Sequence, residues 1–121
     1  MVQAWKRLRH RHTSKGKQMT PEAKVKKRVR AELERRDGVY YFMPATGGYG
    51  RSGVPDIVGC FLGKFFAIEC KAGAGKTTAL QDRELTKIIQ ADGKAIVVNE
   101  NNIHLVGEML NEIQTQVLHT T

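Results

Sequence analysis

Apolar side chains in the first third of the chain recur every four residues, a spacing that predicts an amphipathic helix. Val25, Val29 and Leu33 form its apolar stripe, and lysine and arginine cover much of the remaining surface. A Thr-Pro-Glu sequence at 20–22 marks the start, because threonine can cap free amides and proline is preset for the first helical position. The helix is predicted to run until the Asp-Gly pair at 37–38 ends it.

The middle of the chain alternates β-rich apolar runs with glycine-rich turns, which predicts strands. Three strands are predicted, at 39–43, 55–62 and 65–71. Gly63-Lys64 joins the last two as a two-residue hairpin turn with glycine first. The loop TGGYGRSG, at 46–53, contains four glycines, so its backbone can approach a ligand closely.

The last third of the chain predicts a helix, a strand and a second helix. Thr78-Ala-Leu-Gln81 matches a capping box that starts a helix running to about residue 91. A buried strand follows at 94–99, and apolar residues at helical spacing from Ile103 to Val117 predict the terminal helix. Four residues of the first of these helices are expected to face the core: Leu80, Leu85, Ile88 and Ile89. The predicted order of elements is therefore α-β-β-β-α-β-α.

Size and composition fit one globular domain. The chain has 121 residues, of which 40% are hydrophobic and 26% are charged. No apolar run approaches the roughly 18 residues that a membrane span needs, and no apolar segment follows the first positive charges as in a signal peptide. An intracellular setting without membrane contact is therefore expected. Cys60 and Cys70 lie inside predicted strands without a CxxC spacing, so both are expected to be structural.

Positive charge is concentrated at the front of the chain. Residues 1–36 carry 13 basic and 3 acidic side chains, whereas residues 37–121 carry 7 and 9, so the net charge of +8 belongs to the front. Such a block commonly neutralises nucleic-acid phosphates, although an anionic membrane surface or solubility alone would also explain it. Residues 1–19 show no apolar period and are predicted to form a flexible basic arm ahead of a folded domain at 20–121.

Ionisable side chains gather at one end of the predicted hairpin. With the turn at 63–64, Asp56 lies opposite Lys71, and Glu69 shares their face, diagonal to Asp56. Charged groups at the end of a strand pair that is otherwise buried are costly unless they are paired or bind metal. A salt bridge between Lys71 and either acid is one explanation. The other is a divalent-metal site with Asp56, Glu69 and the backbone carbonyl of Cys70 as oxygen ligands.

The motif at this end of the hairpin resembles a known nuclease signature. GVPD at 53–56 followed by IECK at 68–71 has the arrangement of the PD-(D/E)XK nucleases, in which Pro-Asp opens one strand and E-x-K closes the next. Glu22 at the start of the first helix, the loop ending in GRSGVPD and Gln81 in the first turn of the next helix extend the match. Over roughly residues 20–110 the chain resembles the virus-type replication-repair nuclease (VRR-NUC) branch of that superfamily.

The resemblance implies an α/β, restriction-endonuclease-like core with a central mixed sheet flanked by helices. It also implies hydrolysis of DNA phosphodiesters with Mg²⁺ or Mn²⁺, which screens the phosphate, activates the attacking water and stabilises the leaving oxygen. Asp56 and Glu69 would hold the metal together with the Cys70 carbonyl, and Glu22 would bind it directly or through water. Glu22 could instead be only a favourable first-turn acid.

Two further residues have implied roles in the reaction. Lys71 would orient or help deprotonate the water and stabilise charge on the phosphorane oxygens. Gln81 would support Lys71 or a phosphate, although a capping-box role alone also explains it. Phosphate contacts are expected from the glycine-rich loop, the loop after the hairpin and the first helix, where a purely structural glycine loop is the alternative. The residues concerned are Arg51, Ser52, Lys76, Lys24, Lys27 and Arg28.

Other functions fit the sequence less well. GAGKTT at 73–78 is similar to a phosphate-binding P-loop, but Cys70 stands where that motif needs its first glycine. A DNA-binding module without catalysis would not need acids facing DNA, because acids repel phosphate unless a cation lies between them. A sequence-specific endonuclease would share the motif but usually needs extra recognition segments. The resemblance, with its similarity to Holliday-junction resolvases, implies a homodimer that cuts branched DNA of a phage or bacterium in replication or repair.

Overall fold

The computed structural model describes residues 18–45 and 52–119. Most of the predicted basic arm and the loop at 46–51, including Arg51, lie outside the described residues. The elements are α1 (Pro21–Glu34), β1 (Val39–Phe42), β2 (Ile57–Phe61), β3 (Lys64–Cys70), α2 (Ala79–Gln90), β4 (Lys94–Val98) and α3 (Leu105–His119). This order confirms the predicted α-β-β-β-α-β-α sequence of elements.

The helix starts follow the capping signals in the sequence. At the start of α1, the Thr20 hydroxyl accepts a hydrogen bond from the Ala23 amide at 3.1 Å. At the start of α2, the Gln81 amide donates to the Thr78 hydroxyl at 3.2 Å, and the Thr78 amide donates to Oε1 of Gln81 at 2.9 Å. These contacts satisfy amides that have no partner within a helix. Local sequence therefore sets both starting points.

One mixed sheet organises the fold. Its strands lie in the order β1-β2-β3-β4, with antiparallel pairing among the first three and parallel pairing between β3 and β4. The main hydrophobic core lies between one face of this sheet and helices α1 and α3. Leu85 of α2 is buried outside that cluster, as expected for a crossover helix that covers the opposite face of β3 and β4. The expected mixed sheet flanked by helices is confirmed.

The hairpin register differs from the one predicted. Phe61 pairs with Lys64, and Ile57 pairs with Ile68, so the two turn residues are Leu62 and Gly63 rather than Gly63 and Lys64. Both turn residues have positive φ, 52° and 81°, as a type I′ turn requires. The predicted pairing of Asp56 with Lys71 is therefore wrong, because the observed register differs from the predicted one by two residues.

Packing around Gly59 explains this register. Gly59 lies opposite Phe66, and a Cβ on Gly59 would stand 2.5 Å from the Phe66 ring. The glycine thus leaves the space that the ring occupies. Because the correction shifts the pairing by two residues in total, every side chain keeps its predicted face of the sheet. The acids at 56 and 69 therefore still share one face.

Two predictions about α2 are wrong. Leu80 and Ile89 were expected in the core, but they are 47% and 57% exposed. The helix is buried mainly through Leu85, which leaves its flanking apolar residues near the surface. Both cysteines are free. Within 18–45 and 52–119, no helix combines the length and the apolar character that crossing a membrane requires.

Candidate active site

Three carboxylates from different elements meet at one end of the sheet. Glu22 lies in the first turn of α1, Asp56 directly precedes β2, and Glu69 lies near the end of β3. One oxygen from each lies within 4.8 Å of the other two. Continuing the observed register by one residue puts Asp56 opposite Glu69, not opposite Lys71. The sequence thus identified all three acids but not their pairing.

Asp56 is held by two contacts. The Cys70 amide donates a hydrogen bond to Oδ2 at 2.8 Å, and the Lys26 ammonium lies 3.3 Å from Oδ1. Burial opposes ionisation of this carboxyl, but hydrogen bonds from Glu69 and the Cys70 amide and the charge of Lys26 bring its pKa below the usual range. Asp56 is therefore the ionised member of the acid pair.

Glu69 is the buried member of the pair. Its side chain is 1% exposed, and Oε2 has no hydrogen-bond partner among the described residues. Burial raises its pKa to about 9, and the neighbouring Asp56 adds to that rise. Without a cation, Glu69 is therefore protonated at neutral pH and shares its proton with Asp56. A buried oxygen without a partner is costly, and a bound cation would satisfy it.

The donor set of this cluster fits a hard divalent cation. Carboxylate and carbonyl oxygens are the ligands that Mg²⁺ and Mn²⁺ prefer. The Cys70 amide points towards Asp56, whereas the Lys71 amide donates to the Val98 carbonyl of β4 at 2.9 Å. Because the amide and carbonyl of one strand residue point to the same side, the Cys70 carbonyl also points towards Asp56. The arrangement could therefore offer three carboxylates and one carbonyl.

Lys71 and Gln81 flank the acids in different ways. Lys71 follows Glu69 by two residues and so shares its face of the strand, and its positive charge opposes the rise in the Glu69 pKa. Among residues 18–45 and 52–119, Lys71 makes no ion pair within 4.0 Å. Gln81 uses its side-chain oxygen in the capping box, so its NH₂ group is left to donate to a ligand, but it cannot bind the Lys71 ammonium, which is also a donor.

Gly53, in the described end of the glycine-rich loop, lies close to α2. Gly53 has a φ of +80°, and a Cβ there would stand 2.6 Å from the backbone of Leu80. Any larger residue would push the loop away from the start of α2. This contact places the segment leading to Asp56 against the helix that carries Gln81.

The residues predicted to contact DNA have different environments. Ser52, Lys76, Lys24 and Lys27 are exposed, and Arg51 lies outside the described residues. Arg28 donates to the backbone carbonyl of Glu100 at 3.1 Å, and the Glu100 carboxylate accepts from the Gly73 amide at 2.9 Å. Arg28 therefore ties α1 to the segment after β4, which limits its freedom to reach a phosphate.

Lys26 is a site residue that the sequence analysis missed. It lies four residues after Glu22 in α1 and thus one turn along the same helix face. Desolvation lowers its pKa, but the charge of Asp56 outweighs this, so the Lys26 pKa lies above its usual value. Helical spacing from Glu22 was the available signal. It was obscured by the four other basic residues nearby, at 24, 27, 28 and 30.

Comparison with known proteins identifies the fold. No protein-family model and no curated protein matches the chain. A solved structure described as a VRR_NUC domain superposes with a TM-score of 0.60 at 22% sequence identity. The match covers 77% of this chain and 97% of that structure. At this level of identity, the likeness establishes that the two chains share a fold.

Proposed function

We propose that this protein is a divalent-metal-dependent endonuclease that hydrolyses phosphodiester bonds in DNA. The observation that carries the proposal is the cluster of Glu22, Asp56 and Glu69, in which a buried Glu69 oxygen has no hydrogen-bond partner among the described residues. A buried pair of acids lowers the stability of the fold, so a structural role alone does not explain it. The shared fold with a VRR_NUC domain and the basic first helix add support.

Asp56 and Glu69 would hold the cation, with Glu22 and the Cys70 carbonyl completing its protein ligands. A bound Mg²⁺ or Mn²⁺ supplies charge that screens the phosphodiester and lowers the pKa of a nearby water. For Glu69 to act as a ligand it must lose the proton that it holds in the metal-free protein. Asp56 is already ionised, and its hydrogen bond from the Cys70 amide fixes one of its oxygens in place.

Lys71 would act on the reacting groups. Its ammonium can donate hydrogen bonds to the attacking water and to a non-bridging phosphate oxygen, which orients the water in line with the leaving group. As charge builds on the phosphorane oxygens, the same ammonium stabilises it. The free NH₂ group of Gln81 would donate a hydrogen bond to the neighbouring phosphate.

Branched DNA is the proposed substrate, acted on inside the cell by a homodimer. The VRR_NUC neighbour is matched over 97% of its length, so the part of this chain that it covers corresponds to a compact core with that fold. A core of this size is better suited to DNA structure than to a long base sequence. Exposed apolar residues on β1 and α2, including Tyr40, Phe42 and Ile89, offer surface for a second copy. A monomeric mass in solution at working concentration would exclude the dimer.

Cleavage of labelled DNA tests the proposed activity. Wild type should nick junction, flap or duplex DNA only with Mg²⁺ or Mn²⁺, and should prefer the branched forms. Asp56→Ala and Lys71→Ala should lose at least about 100-fold in rate, the usual cost of removing an essential group. Lys87→Ala, which removes a lysine from the last turn of α2, is the matched control and should cut normally. Equal residual cutting in all four proteins would mean that a contaminant is responsible and that the assignment is wrong.

A further inference from the structure

A basic groove runs along one flank of α1 and ends at the acid cluster. Arg30 lies four residues after Lys26 and three after Lys27, so it shares this flank of the helix with both. Together with Met43, from the segment after β1, they line a cavity of about 440 Å³. Lys26 is also the residue that pairs with Asp56. The groove is therefore continuous with the candidate metal site.

The chemistry of the groove alternates between charge and short apolar side chains. Ala23 and Ala31 lie among the cations, and they leave the floor shallow. The acid in the groove, Glu34, accepts a hydrogen bond from the Tyr41 hydroxyl. Arg30 lies close enough to the same tyrosine for it to raise the pKa of the Arg30 guanidinium. A chain of phosphates and sugars has the matching alternation, because the phosphates need cations and the sugars need small apolar surfaces.

A divalent cation in the acid cluster would weaken the ion pair between Lys26 and Asp56. The Lys26 ammonium and a divalent cation would compete for the same Asp56 carboxylate and would repel each other. Lys26 would then lose the anion that holds it. Because the Lys26 side chain also lines the groove, the phosphate of a bound nucleic-acid strand lies within its reach as a replacement partner.

We propose that this groove binds the DNA strand next to the scissile phosphate, and that Lys26 exchanges Asp56 for a phosphate oxygen when a divalent cation occupies the acid cluster. The inference rests on the proposed nuclease function and deepens it. It names the surface that carries the strand and a positioning residue that couples metal to DNA. The other flank of α1 is less suited to the strand, because Arg28 there is engaged by Glu100.

Binding of fluorescein-labelled flap DNA with and without Ca²⁺ separates the two parts of the proposal. Lys27→Gln and Arg30→Gln should weaken binding about three- to tenfold in both EDTA and Ca²⁺, and each should lower the salt-dependence slope by about 0.7 to 0.9. Lys26→Gln should weaken binding only in Ca²⁺, because Asp56 holds Lys26 in EDTA. Lys26→Arg keeps the charge and should bind as wild type does.

Lys87→Gln is the matched control, because Lys87 is an exposed lysine in the last turn of α2 and does not line the groove. It should leave binding nearly unchanged. If the three groove variants bind like Lys87→Gln, the groove does not carry the strand. If Lys26→Gln weakens binding equally in EDTA and Ca²⁺, there is no exchange. Circular dichroism of each variant confirms that it is folded before it is compared.

Mn²⁺ affinity without DNA gives a second readout that is independent of cleavage. Removing the competing ammonium in Lys26→Gln should tighten Mn²⁺ binding about threefold or more in calorimetry, whereas Lys87→Gln should not change it. Unchanged or weaker Mn²⁺ binding in Lys26→Gln would overturn the exchange. Failure of the nuclease proposal looks different, because wild type would then bind DNA through the groove without cutting it in any divalent cation.

Discussion

Glu69 shows at the scale of one residue why the site is more than a salt bridge. An acid on a central strand with 1% exposure would usually be paired with a cation, but its nearest partner is a second acid, Asp56. Lys26 compensates Asp56 and leaves one Glu69 oxygen without a hydrogen bond among the described residues. The sequence predicted both acids because their motif is local to two strands. It missed Lys26, because the contact depends on where α1 packs.

The buried acid should make the metal-free protein less stable at high pH. Burial and Asp56 raise the folded-state pKa of Glu69 to about 9 from its ordinary 4.5. The contribution of Glu69 to the free energy of unfolding is thus fully present below pH 4.5 and is lost as the pH rises through 9. Urea unfolding in EDTA should therefore give a free energy of unfolding that falls across this window. Glu69→Gln should flatten the fall, and Glu108→Gln on α3 should not.

At low pH, the free energy of unfolding is expected to rise with pH instead of falling. Asp56 has a pKa below its ordinary 3.8, so its contribution is present above that value and is lost as the pH falls through the folded-state pKa. An unfolding free energy of wild type that stays constant between pH 4.5 and 9 would contradict the account of the acid pair.

At the scale of elements, the hairpin turn illustrates where sequence reasoning failed. Glycine at the first turn position favours Gly63-Lys64, but the structure uses Leu62-Gly63 and accepts a leucine with φ of 52°. Fit between strands decides the register, because the Phe66 ring needs the space opposite Gly59. The capping box of α2 and the apolar stripe of α1 were predicted correctly because they are local. Strand register was not, because it depends on side chains from both strands.

Removing the backbone strain at Leu62 in the hairpin turn should stabilise the fold. Leu62→Asn creates an Asn-Gly turn, whose first residue tolerates positive φ, and should raise the free energy of unfolding by about 1 kcal/mol. Leu62→Ala keeps the backbone strain and serves as the control, with no gain expected. Urea denaturation of the three proteins measures the difference. Equal stability of Leu62→Asn and Leu62→Ala would argue against the observed turn.

Gly53 should tolerate substitution by alanine less well than Gly63 does. Both glycines have φ near +80°, but a Cβ on Gly53 would meet the Leu80 backbone, whereas nothing lies within 4 Å of a Cβ on Gly63. Gly63→Ala should cost about 1 kcal/mol for the backbone conformation alone. Gly53→Ala should cost about 2–3 kcal/mol because a backbone clash is added. Chemical denaturation should reveal the gap, and equal losses would contradict the close approach.

At the scale of the whole molecule, the fold brings the basic helix α1 to the acid cluster. The net positive charge lies within residues 1–36, and α1 carries part of it to the strand ends where Asp56 and Glu69 meet. The order of elements was predictable from periodicity and turns. The contact between α1 and the strand ends was not, because it joins segments 30 residues apart at Lys26 and Asp56. The acid cluster and the basic groove both depend on that contact.

Anomalous scattering from crystals soaked in Mn²⁺ tests the central claim most directly, because it locates the ion without relying on activity. The account predicts a peak within about 2.5 Å of carboxylate oxygens of both Asp56 and Glu69, with the Lys26 ammonium moved away from Asp56. A map in which Mn²⁺ binds elsewhere, while Lys26 stays paired with Asp56 and the acid cluster shows no peak, would contradict it.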